Sequence, residues 1–224
     1  MRPKKLIKMK IGIQILLWIL IVFFGYKVYD SINGPLEFNK TKTERYAKVI
    51  DRMKDIRNAQ IAHKSVTGVY ASSFESLISF VDSAQYTLVE KRDSSYLEYD
   101  RVYRIDMLKE VVVVDTLGFA SVKDSLFKTS TRYKNMKKVP VDGIDANFEM
   151  KSDIIDKNGY KVAVFEAKVK KDVVLHDQNS DLLDQEKALV SVDGINGPEI
   201  ILGSLLEVST NGNWPTIYDT TPKN

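Results

Sequence analysis

Cysteine is absent from the 224 residues. That removes disulfides, thiolate zinc sites, iron–sulfur clusters, cysteine nucleophiles and lipoprotein-type acylation. Histidine is nearly absent too: His63 and His176 are the two present. Neither stands in a His-Glu-x-x-His or other paired spacing, so both are expected in structural or solvated roles and no metal site is predicted. Gly-x-x-x-x-Gly-Lys, Gly-x-Gly-x-x-Gly and Gly-x-Ser-x-Gly are missing, which leaves phosphate cradles and nucleophile elbows without support. The chain has no internal repeat and no low-complexity tract.

A strong charge imbalance is lacking as well. The net charge is +3, and Arg2, Lys4, Lys5, Lys8 and Lys10 supply five positive charges in the first ten residues, leaving −2 for the remainder. A faintly acidic body has no electrostatic footprint for nucleic acid. The basic head at residues 1–10 is better explained by a membrane.

What the chain does have is one long apolar run. Residues 11–29 read IGIQILLWILIVFFGYKVY, with Gln14 the one strongly polar residue before Lys27. Nineteen residues at about 1.5 Å each nearly match a hydrocarbon core of about 30 Å. The expected anchor comprises Ile11, Ile15, Leu16, Leu17, Trp18, Leu20, Phe23 and Phe24, with Tyr26 and Tyr29 at an interfacial belt. Cations ahead of the span place the N-terminus in the cytoplasm and the C-terminal domain outside the inner membrane, in the periplasmic or extracellular space. A cleaved signal peptide is the rival reading, but its apolar region is shorter and ends in small-x-small, which Phe24-Gly25-Tyr26 is not. A core helix is the other rival.

Asn33-Gly34-Pro35 is a breaker cluster, expected to stop or kink the membrane helix. From residue 39 to 66 the pattern is helical. Tyr46, Val49, Ile50, Met53, Ile56, Gln60 and Ile61 share one face, opposite Lys48, Asp51, Arg52, Lys54, Asp55 and Arg57. Tyr46, Val49, Ile50, Met53 and Ile56 form the expected face for a partner helix, Gly68 the C-terminal cap, and residues 30–85 a helical stalk plus a short helix. Ser72 to Glu75 has capping-box spacing for that short helix.

Residues 86–224 read as a mainly antiparallel β domain. Strands are expected at 86–91 and 102–108, and at 111–114, where four valines predict a strand buried on both faces. Residues 121–127 fit either a helical turn or a strand. Asn158-Gly159 marks a hairpin between two β-rich runs. A second hairpin is expected from 188–192 and 199–208, and Trp214 should pack down near the end. Asp177, Asp181, Asp184 and Glu186 lack the order of an EF-hand and read as a solvated acidic loop. Ser121 and Lys123 invite a Ser/Lys dyad, yet residues two apart meet only by special backbone geometry. No enzyme and no cofactor is nominated.

A basic head, a membrane helix, an amphipathic helix and an antiparallel sheet, in that order, resemble the type IV pilin and pseudopilin plan. Residues Tyr46 to Tyr70, ending His63-Lys64-Ser65-Val66-Thr67-Gly68-Val69-Tyr70, are similar to the end of a pilin first helix and its turn into the head. The likeness covers about the first 85 residues. It does not extend to processing, because Ile11-Gly12-Ile13-Gln14-Ile15 has neither the Phe after the cleaved Gly nor the Glu five residues on. The resemblance implies a structural or assembly component of the bacterial envelope, pilin-like or secretion-apparatus-like. Its partners would be the lipid bilayer and other envelope proteins or further copies of itself. The alternative is a membrane-tethered binding module, which requires a concave, partly apolar pocket.

Overall fold

The computed structural model describes residues 3–219, with the side chains of residue 10 and of residues 12–219. The charges of Arg2, Lys4, Lys5 and Lys8 and the Ile11 side chain lie outside the described residues. The architecture is α+β: one long N-terminal helix followed by two antiparallel sheets with short helices between them.

Helix α1 runs from Pro3–Thr67 without interruption, about 98 Å at 1.5 Å per residue. The Asn33-Gly34-Pro35 cluster does not stop it. Proline removes one backbone donor, and at this exposed stretch water can serve the Ser31 carbonyl that is released. The Asn33 amide also donates back to the Tyr29 carbonyl at 3.2 Å. The helix ends where expected: Gly68 has φ +83° and its N–H donates to the Lys64 carbonyl at 2.8 Å, an αL cap that glycine adopts without penalty. Helix α2, Phe74–Ser83, is capped by Ser73, one residue later than the spacing indicated; its hydroxyl accepts from the Ser76 N–H.

The larger hairpin comes next. β1, Gln85–Asp100, pairs with β2, Ile105–Ser121, in register from Gln85 opposite Ser121 to Asp100 opposite Ile105, with a bulge at Leu117. Each strand is far longer than the apolar runs suggested. The turn is held by the Asp100 carboxylate, which accepts from the N–H groups of Val102 and Tyr103 at 2.7 and 3.0 Å. Residues 121–127 resolve to the helical option: Ser121 caps α3, Val122–Phe127.

The second sheet has the order β3-β4-β5, with β3 at Glu149–Lys157, β4 at Tyr160–Lys170 and β5 at Glu199–Ser204. Asn158 and Gly159, at φ +56° and +83°, make the expected β3–β4 turn, with both central residues left-handed as a type I′ turn requires. The second expected hairpin does not form. β5 pairs with β4 instead, and residues 188–192 are not a strand. Helices α4, Lys171–Val174, and α5, Ser180–Lys187, fill the crossover. The segment read as an acidic loop is in fact largely α5, started by Asn179, whose side chain accepts from the Asp181 and Leu182 N–H groups.

One core joins α1 and α2 to the β3–β5 sheet. The α1 residues from Phe38 to Ala59, with Leu77 and Val81 of α2, pack against Phe165 and Ala167 of β4 and Ile200 and Leu202 of β5. The rings of Tyr70 and Phe165 lie 4.6 Å apart, and Trp214 is buried as expected.

Candidate interaction surfaces

The N-terminal half of α1 is one surface. Ile15, Leu16, Leu17, Trp18, Leu20, Phe23 and Phe24 are each 39% to 63% exposed. Among the described residues this is the one helix long and apolar enough to cross a membrane, and none of its apolar stretch is buried by the rest of the chain. Leaving such side chains in water costs about 1.5–3 kcal/mol apiece, which is why a run of them demands a covering medium.

The second half of α1 is a correction. Tyr46, Val49, Ile50, Met53 and Ile56 are not open to a partner helix: all are at most 1% exposed and are consumed by the chain's own core. The amphipathic pattern was real, but the β3–β5 sheet and α2 occupy its apolar face. That face is also wider and rotated relative to the expected one. Lys54 and Asp55 are buried and Ile61 is exposed, while the Gln60 amide is spent on the Ala71 backbone, donating to its carbonyl and accepting from its N–H at 2.9 Å each. The stalk is correspondingly short, since the head grips the helix from Phe38 onward.

A polar clamp locks this grip. Lys171, fully buried as the first residue of α4, donates to the Glu186 carboxylate at 3.2 Å and to the Glu186 and Ile195 carbonyls at 2.8 and 2.6 Å. Lys42 of α1 donates to the same carboxylate at 2.9 Å, and the Tyr46 hydroxyl donates to it at 3.3 Å. Burial pulls the Lys171 ammonium below its ordinary value, against the pull of Glu186. Burial likewise drives the Tyr46 phenol upward, with Glu186 adding to it. Every polar atom of the cluster therefore has a structural use. Nearby, Arg45 grips Asp177 through two bonds of 2.6 and 2.8 Å. The hydrogen bond from Arg45 holds the Asp177 carboxyl well below the usual range.

The remaining sequence candidates are dispersed. Ser121 accepts from the Asp124 N–H, whereas Lys123 faces Asp82 at 3.5 Å, so the two do not form a dyad. Asp177, Asp184 and Glu186 each pair with a different cation. His63 bonds the Val69 carbonyl at 2.7 Å, and its ring packs tilted against Phe80 at 4.7 Å between centroids. Among the described residues no group of three His, Asp or Glu side chains could hold a metal ion. Clefts beside Tyr99 and Leu108, beside Tyr70 and Ile154, and between Phe38 and Leu182 are open to solvent.

The surface that sequence reasoning missed is the β1–β2 ribbon. Its strands are about 50 Å long at 3.3 Å per residue, and pair only with each other among the described residues. The valine run, expected to be buried on both faces, is not: Val112 and Val114 are 60% and 53% exposed, Val111 and Val113 on the other face are half-buried, and Leu97, Leu108 and Phe119 are more exposed still. The reason is the absence of a covering layer, since a two-stranded antiparallel ribbon has no crossover helices to bury it. The signal was the composition of the run itself: four β-branched residues in a row with no charge to guard them. Comparison with protein families, with curated proteins and with solved structures gives no match.

Proposed function

We propose that the chain is a membrane-anchored structural or assembly component of the bacterial cell envelope, pilin-like in plan. In this reading the first half of α1 spans the cytoplasmic membrane, the N-terminus is cytoplasmic, and the head stands in the periplasmic or extracellular space. Other envelope proteins or further copies are its partners, and it performs no catalysis. The observation that carries the proposal is the continuity of α1. One rod presents bare apolar side chains over one half and forms the core of the head with the other. Such a rod couples lipid to the head without a flexible joint, which suits a load-bearing or scaffolding part better than a diffusing one. The ribbon adds a second exposed apolar surface.

The test is fractionation of cells expressing the full chain, followed by protease treatment of spheroplasts. The expected outcome is a chain that stays with membranes through a carbonate wash, with the head digested from outside. Recovery of full-length chain in the soluble fraction, or a head protected until the cells are lysed, would overturn the reading.

A further inference from the structure

The two edges of the ribbon are not alike. Between Val89 and Tyr99, β1 carries Glu90, Lys91, Arg92, Asp93 and Glu98, the charges with which natural sheets blunt an exposed edge. The outer edge of β2 runs Leu108, Lys109, Glu110, four valines, Asp115, Thr116. Its centre is unguarded, and its flanks carry charges of both signs. An edge of that kind is a template for another strand.

Charge and register identify the strand. In an antiparallel ladder, directly opposite residues share a face. Two copies of β2 paired about a two-fold axis therefore keep their faces matched only when the axis passes through a residue. With the axis at Val112, Val112 meets itself, Val111 meets Val113 of the second copy, Glu110 meets Val114, and Lys109 meets Asp115. Both charged residues already have a partner of the other sign within their own ribbon. Lys109 bonds Glu98 at 2.6 Å and Asp115 bonds Arg92 at 2.8 Å. Self-pairing at Val112 extends these into a row of alternating sign, Glu98, Lys109, then Asp115 and Arg92 of the second copy. An axis at Val113 keeps the valine contacts and likewise sets one charge against a valine, Asp115 against Val111, but it forms no Lys–Asp contact, since Lys109 then meets Leu117. An axis at Val111 leaves one valine pair. β1 offers no comparable register, because it has no apolar run and an axis at Lys91, Arg92 or Asp93 sets like charges face to face.

We infer that the outer edge of β2 pairs antiparallel with the β2 edge of a second copy of this chain, about a two-fold axis at Val112, making a four-stranded sheet β1-β2-β2-β1. This rests on the assembly reading above, for which it names the partner of the ribbon.

The chain's lack of cysteine makes the test direct. In the full chain, purified in detergent, Val112→Cys should form a dimeric disulfide on mild oxidation. Asp93→Cys, directly opposite Val112 on the far strand, should stay monomeric. Separately, Lys109→Asp and Asp115→Lys should each weaken dimerisation roughly tenfold by placing like charges in contact. Mixing the two variants restores both opposite-charge contacts across the axis, although not the Lys109–Glu98 pair within one ribbon or the Arg92–Asp115 pair within the other, so heterodimers should form more tightly than either variant alone. This mixing arm separates a lost contact from a misfolded ribbon. The inference is overturned if Val112→Cys crosslinks no faster than Asp93→Cys, or if the mixture dimerises no better than either variant alone. Those results in a chain that still fractionates with membranes remove the self-pairing and leave the anchored-component reading in place. A chain that dimerises but is soluble does the reverse.

Discussion

The two sheets of this protein are built from the same device, an antiparallel hairpin, and have opposite fates. The β1–β2 pair is the longer, with strands of 16 and 17 residues against 9 and 11 for β3 and β4. Yet Phe165, Ile200 and Leu202 of the β3–β5 sheet are fully buried, while Val112, Leu108 and Phe119 of the ribbon stand in the open. Strand pairing satisfies the backbone and does nothing for the faces. A sheet becomes part of a core only when another layer lies on it, and here α1 lies on one sheet and on neither face of the other. Backbone hydrogen bonding and side-chain burial are thus separable, and this chain separates them.

That contrast yields expectations of graded size. The largest is Phe165→Ala, which leaves a cavity beneath α1 and should cost about 3–5 kcal/mol. Urea unfolding of the detergent-solubilised full chain, followed by the emission of buried Trp214, measures it; a loss below 1 kcal/mol would dissolve the distinction between the two sheets. Nearly as large is Glu186→Ala, which strands the buried Lys171 ammonium at the start of α4 and should cost about 3 kcal/mol in the same assay. Replacing both together, as Lys171→Met with Glu186→Leu, should recover only part of that loss: the pair's desolvation disappears with its attraction, but the Glu186 and Ile195 carbonyls lose the ammonium that donates to them.

A smaller effect sits where the head meets α1. The Asp177 carboxyl is held below its ordinary value of 3.8 by Arg45. A depressed carboxylate stabilises the fold above its unfolded value, and the contribution is lost as pH falls through the folded one. Asp177→Asn should therefore cost at most about 1 kcal/mol at neutral pH, since the group is half exposed and screened. The gap from wild type should close progressively as pH drops below about 3.8; a gap that widened in acid would contradict the pairing. The smallest effect is on the ribbon. Val112→Ala should change the stability of the head by less than about 0.5 kcal/mol, and a loss comparable to that of Phe165→Ala would mean that the ribbon face is covered by the head.

Where local chemistry dominates, the chain could be read directly. Gly68 ends α1 because an αL cap suits glycine, and Asn158-Gly159 turns β3 into β4 because both residues tolerate positive φ. The apolar stripe through Tyr46, Val49, Ile50, Met53 and Ile56 was equally legible as a stripe. Its partner was not. Period tells that a face must be covered and says nothing of whether β4 of the same chain or a foreign helix covers it. The same gap explains the valines at 111–114, whose sequence is that of an interior strand although no second layer reaches them. It also explains the missing hairpin at 188–192. β5 finds β4, more than thirty residues back, because Ile200 and Leu202 bury more there than a local turn could offer.

The sequence alone determined an apolar N-terminal helix, the α+β class, the helix stop at Gly68 and the tightest turn, all set by interactions within a few residues. Only the tertiary structure decided that α1 runs through Pro35, that its amphipathic face belongs to the head, and that β1 and β2 project as a bare ribbon. Each of those depends on which surface reaches which, and burial is a property of the assembled chain rather than of any window along it.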